Sequence, residues 1–110
     1  MDYRIDYYSE GVEEAILGLP DTLAARYIVL TRRMTAVGAN LSPPHTESFG
    51  DGLFELRLKG ADGIARVFFC TLIGRRIMML HSFIKKSQKT PLRELDVARR
   101  RMKEIKDANS

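Results

Sequence analysis

Ile77–Pro91, IMMLHSFIKKSQKTP, is an apolar strand that stops abruptly and runs into three lysines. A strand must bury at least one face, and His81, Lys85, Lys86 and Lys89 enter a core only at high cost. One face of this segment is therefore expected to hold the fold and the other to hold a phosphate backbone. Reading upstream, Arg76 to Lys85 is the third strand of a meander whose first two run from Leu53 to Lys59 and from Ile64 to Ile73. Gly60-Ala61-Asp62-Gly63 and Gly74-Arg75 supply the turns. If Ala61-Asp62 and Gly74-Arg75 are two-residue loops, Arg57 lies opposite Arg66, Arg66 opposite Phe83, and Phe68 opposite His81. One face then carries Phe54, Leu56, Leu58, Val67, Phe69, Met78, Leu80 and Ile84. The other carries Glu55, Arg57, Lys59, Arg66, Phe68, Cys70, Met79, His81, Phe83 and Lys85.

The flanking segments supply helices for the apolar face. Tyr3 to Tyr8 reads as a short strand, and Ser9 offers a cap for a helix built on Val12, Ile16 and Leu19 that ends near Gly18. After Pro20, Leu23, Tyr27, Leu30, Met34 and Val37 form the stripe of a longer helix ended by Gly38, so the two helices make a hairpin. Residues 39–52 read as a surface loop, and His45 within it as a solvated residue outside any site. Thr90 and Pro91 open a last helix with Leu92, Leu95, Met102 and Ile105 inward. The expectation is a single α+β domain over residues 1–110, with its helices on one face of the sheet.

Composition narrows the function. Residues 1–50 hold four Lys or Arg against seven Asp or Glu, and residues 51–110 hold fourteen against seven. That basic second half is the footprint of a chain that meets polyanions, nucleic acid or an acidic partner protein. No apolar run approaches the roughly 18 residues of a membrane span, no export leader is visible, and the one cysteine, Cys70, excludes an internal disulfide. A cytoplasmic protein without a membrane role is expected. Two histidines and one cysteine far apart match no metal-ligand spacing, and no glycine loop opens a helix for a nucleotide, so neither metal nor cofactor is expected.

The second face carries the chemistry. Like charges directly opposite each other in a sheet cost about 0.2–1 kcal/mol, so the Arg57–Arg66 pair calls for an anion. Arginine grips phosphate with its forked donors, aromatic faces stack bases, and lysine or histidine moves protons. Arg57, Arg66, His81, Lys85 and Lys86 form the candidate catalytic set. Lys59, Phe68, Phe83 and Lys89 are the candidate RNA contacts.

The runs DGLFELR, IARVFF and IMMLHSFIKKSQKTP, followed by a basic amphipathic helix, resemble the RelE/ParE toxin superfamily, in particular its phage-derived, HigB-like branch. The resemblance spans nearly the whole chain and implies a RelE-like fold: N-terminal strand, helical hairpin, three-stranded antiparallel meander and C-terminal helix. It further implies a type II toxin that cleaves messenger RNA on the ribosome without metal, silenced in a hetero-oligomeric complex by a cognate helix-turn-helix, HigA-like antitoxin. By motif position it implies Arg57, Arg66, Lys85 and Lys86 as the catalytic and phosphate-binding set, with Lys59 in support. Relatives often place a tyrosine or histidine near the end of the last strand; here that end holds Phe83, leaving His81 or Lys85 as the base. Ser48 stands where many relatives carry a basic residue. The alternatives from other classes are a ParE-like inhibitor of a topoisomerase such as gyrase and a catalytically inert antitoxin-binding partner.

Overall fold

Five strands and three helices follow one another as β1 (Arg4–Tyr7), α1 (Glu10–Leu17), α2 (Asp21–Val37), β2 (Thr46–Ser48), β3 (Phe54–Gly60), β4 (Gly63–Leu72), β5 (Arg76–Ile84) and α3 (Leu92–Ala108). These come from a computed structural model that describes residues 2–86 and 88–109. The strands form one sheet in the order β1-β5-β4-β3-β2, with β1 parallel to β5 and the β2–β5 neighbours antiparallel. The α+β class, the N-terminal strand, the helical hairpin, the meander and the final helix all agree with the sequence reading.

The helices start where the sequence signals them. Ser9 caps α1, its hydroxyl accepting from Val12 N at 3.2 Å. At the start of α2 Pro20 has no side chain to offer, and the cap comes from the β3–β4 turn instead. Asp62 Oδ2 accepts from Thr22 N at 3.1 Å and from Thr22 Oγ1 at 2.8 Å. Gly60 permits this approach, because a Cβ there would lie 2.7 Å from Thr22 Oγ1. The Thr22 hydrogen bonds hold the Asp62 carboxyl below its ordinary range. A carboxyl depressed by folding stabilises the fold above its unfolded value, and that stability is lost as pH falls through the folded value. Asp62→Ala is therefore expected to melt lower than wild type at neutral pH, with the difference closing as the carboxylate range is crossed downward. Thermal melts across pH check it.

Two cores form, one on each face of the sheet. On the first, Ile16, Leu23, Tyr27, Leu30 and Met34 of the hairpin bury against Leu56, Leu58, Val67, Phe69, Ile77 and Met79. On the second, α3 lays Ala98 and Met102 over Phe68, Cys70, Met78, Leu80 and Phe83, with Leu53, Leu95 and Ile105 around them. This corrects the expectation that all helices share one face. The cause is a register step in β4–β5: Phe68 is opposite His81, but Phe69 is opposite Met79, leaving Leu80 as an extra, bulged residue.

A bulge turns every later side chain to the other face. Met78 and Leu80 thus move to the second face and Met79 to the first, the reverse of the expected partition. That gives the second face too much apolar surface to leave open, and α3 covers it. The same step accommodates a three-residue β4–β5 connection, with Leu72 opposite Arg76, where two residues were expected. Arg57 opposite Arg66, Arg66 opposite Phe83 and Phe68 opposite His81 all stand as read. Three smaller readings are corrected. Residues 46–48 form an edge strand within the expected loop, and Val37 and Leu92 are exposed, not buried. Thr90 does not cap α3 but donates its hydroxyl to Glu55.

Candidate functional site

α3 covers only part of the second face. At the end of the sheet where the chain leaves β5 toward Lys85, the Arg57–Arg66 pair lines depressions to which no α3 residue contributes. Glu55 is what permits two guanidinium groups to face each other. Its side chain is 1% exposed, and Oε1 lies 3.5 Å from Arg57 Nε and 3.4 Å from Arg66 Nε. Oε2 accepts from Thr90 Oγ1 at 3.0 Å. Arg57 also meets Glu47 of β2, an exposed carboxylate at the groove's rim.

The carboxylate that Arg66 meets is shared with Arg57, which leaves Arg66 under-compensated. Burial pushes the Glu55 carboxyl above its ordinary value, against the Thr90 hydrogen bond and the charges of Arg66 and Lys85. Burial likewise lowers Arg66, Glu55 opposing and Arg57 adding to the shift. The buried Nε of Arg66 has no hydrogen bond among the described residues. Lys85 is lowered too, first by desolvation and then by Arg66. Arg66 and Lys85, whose charged forms are disfavoured, gain by taking up an anion.

The surroundings give that anion room. Arg57, Lys59 and Arg66 line a groove of about 510 Å³ together with Arg26 of α2, Pro44, His45 and Ile64. A second depression of about 440 Å³ shares Arg66 and Ile64 and adds Lys85, Lys86 and Gln88. Five sequence-predicted residues, Arg57, Lys59, Arg66, Lys85 and Lys86, are thus gathered on two adjoining depressions. Lys89 is exposed on the segment leading into α3. Lining with four cations suits a phosphate backbone far better than a neutral ligand.

The remaining three predicted residues sit elsewhere. Phe68 is fully buried and Phe83 is 8% exposed, stacked on each other at 5.9 Å beneath α3, so neither presents a ring to a base. His81 is held between two α3 side chains: Nε2 is 3.0 Å from Glu94 Oε1, and Nδ1 is 3.5 Å from Arg101 Nη1. It lines a separate recess toward α1, beside Ser9, Val12 and Arg101, not the arginine groove. Covering by α3, which the alternation did not show, is the reason in all three cases.

Arg101 also closes the bulge. Its Nη1 donates to the Leu80 carbonyl at 2.9 Å, and its guanidinium lies 4.7 Å from the Tyr8 ring centroid. Arg101→Ala leaves that carbonyl without this donor, at a cost of about 1–3 kcal/mol. The expected outcome is a lower denaturation midpoint with the arginine groove left in place, read by urea unfolding.

Arg26 and His45 are groove residues that sequence reasoning missed, His45 the more telling of the two. Its loop position beside two prolines reads as solvated, but its carbonyl accepts from Arg57 N at 2.8 Å, which fastens the loop alongside β3. Thr46-Glu47-Ser48, which forms the edge strand, is polar at every position and gives no alternation to announce it.

A basic α+β domain with an arginine-lined groove at the open end of a five-stranded sheet is the class of protein that this fold and site define. Within that class, the sequence model of the family described as phage derived protein Gp49-like (DUF891) matches residues 14–103, and the chain belongs to that RelE-like, toxin-like family. No curated protein matches the sequence. Among the described residues no helix is long and apolar enough to cross a membrane.

Proposed function

We propose that this chain is a HigB-like toxin of a type II toxin-antitoxin pair, acting in the cytoplasm as a ribosome-dependent endoribonuclease on messenger RNA. The observation that carries the reading is the Arg57–Arg66 pair, cross-strand neighbours that share one buried carboxylate and open on a groove lined by further cations. Membership of a toxin-like family supports it. In the proposed reaction Arg66 and Arg57 hold the scissile phosphate and neutralise the charge that builds on its oxygens. The 2′-hydroxyl attacks, the bond to the 5′-oxygen breaks, and a 2′,3′-cyclic phosphate and a 5′-hydroxyl result.

Lys85 stands beside Arg66 with its ammonium weakened by burial and by that guanidinium, which makes it the better proton donor. Lys59, Lys86 and Lys89 extend the basic track along which the message would run. The proposed partner is a helix-turn-helix antitoxin, with which the toxin forms a hetero-oligomer. Expression of the chain alone should arrest growth, and primer extension on translated messages should show cuts whose downstream fragments bear 5′-hydroxyl ends. Uncut messages together with blocked DNA supercoiling would replace this reading by topoisomerase inhibition. Neither effect, with an antitoxin still bound, would leave an inert binding partner.

A further inference from the structure

With His81 held by Glu94 and Arg101 in a separate recess, the groove needs another group able to accept a proton, and the loop before β2 provides it. The half-exposed His45 lines the groove with Arg26, Arg57, Lys59 and Arg66. Its position is held from both sides: its carbonyl is bonded to Arg57 N, and the next residue, Thr46, is fully buried with its hydroxyl on Asn40 Oδ1 at 2.8 Å. The charged groups that face it are Arg26 from α2, Arg57 and Lys59 from β3 and Arg66 from β4, with Glu47 two residues along its own strand engaged by Arg57. Arginine and lysine keep their protons through the neutral range, whereas a histidine ring exchanges its own there.

Arg66 is the cation common to the two depressions, with His45 in one and Lys85 in the other. In-line displacement at phosphorus places the attacking and the leaving oxygen on opposite sides of the phosphate. A phosphate seated on Arg66 would then turn its 2′-hydroxyl toward one depression and its 5′-oxygen toward the other. We infer that His45 is the general base and Lys85 the general acid of cleavage, acting from opposite sides of the phosphate held by Arg66. The inference rests on the nuclease reading above. The neutral His45 ring takes the 2′-hydroxyl proton as the 2′-oxygen bonds to phosphorus. The phosphorus–5′-oxygen bond breaks, and the Lys85 ammonium protonates the departing oxygen. Exchange with water returns both groups to their starting states.

A message carrying sulfur in place of the bridging 5′-oxygen at the cut site separates the two roles, because a thiolate leaves without an acid. On ribosomes programmed with the ordinary message, His45→Ala, His45→Gln and Lys85→Ala should each cut about 100-fold slower than wild type. On the sulfur message, Lys85→Ala should approach the wild-type rate while both His45 variants stay about 100-fold slow. His45 variants that cut the ordinary message at the wild-type rate, or that recover on the sulfur message, overturn the base assignment. Lys85→Ala that stays slow on sulfur overturns the acid assignment. A folded wild-type protein that cuts neither message contradicts the nuclease reading itself, which distinguishes that failure from a failure of this assignment. Thermal melts confirm that each variant is folded.

Discussion

Arg66→Ala is expected to lower single-turnover cleavage of a ribosome-bound message about 100- to 1,000-fold, the range for removing one preorganised donor to a developing oxyanion. Growth arrest on expression should disappear with it. Arg66 is the cation that both depressions share, and its charge is only partly answered by Glu55, so a phosphate that reaches the groove meets a cation already desolvated. Arg57 is a lesser case: its side chain is a third exposed and already meets Glu47 as well as Glu55. Arg57→Ala should cost roughly tenfold, the worth of one charge-assisted hydrogen bond of about 1.5 kcal/mol. Equal effects at the two positions would contradict this ranking.

Glu55→Ala should be strongly destabilising. Removing one member of a buried ion pair leaves the other uncompensated, at about 3–5 kcal/mol. For a chain of 110 residues the lower figure alone drops the melting temperature by roughly 10–15 °C. The double replacement Glu55→Met with Arg66→Met removes both charges and fills the space with apolar atoms. It should melt near wild type and cut nothing, separating the pair's cost in stability from its use in catalysis. Calorimetry on the single and double variants checks both statements, and a double variant as unstable as Glu55→Ala would refute the second.

The same residue gives the fold a pH dependence opposite in sign to that of Asp62. Because burial raises the Glu55 carboxyl, the folded chain holds that proton more tightly than the unfolded chain does. Its contribution is fully present below the unfolded value and is lost as pH rises through the raised folded value.

The arginine pair was legible in the sequence because a short glycine-flanked turn joins β3 to β4 and pins their register, so Arg57 could face only Arg66. The β4–β5 pairing was legible only as far as Phe68. Beyond it Ile77-Met78-Met79-Leu80 is apolar at every position, and an unbroken apolar run has no alternation from which a bulged residue or a face can be read. That one missed residue led to the other errors. With Leu80 and Met78 assigned to the hairpin's face, α3 had no second core to cover, and Phe68, Phe83 and His81 seemed open to RNA. Arg101, which secures the bulge, stands in the run Arg99-Arg100-Arg101, where the sequence does not tell which arginine turns inward. His45 was hidden for another reason: its place beside Arg57 depends on a three-residue edge strand that no periodicity announces. Local alternation thus located the groove cations, and long-range packing decided which aromatic and histidine neighbours they keep.

The account's central claim is that RNA phosphate is met by the groove at the open end of the sheet, not by the face under α3. The most direct measurement is a titration of the ¹⁵N-labelled protein with a short RNA blocked at its 2′-hydroxyls, following arginine Nε and histidine ring resonances. The account predicts shifts at Arg57, Arg66 and His45 with Arg101 and His81 unmoved. Shifts confined to Arg101, His81 and the outer surface of α3 would contradict it.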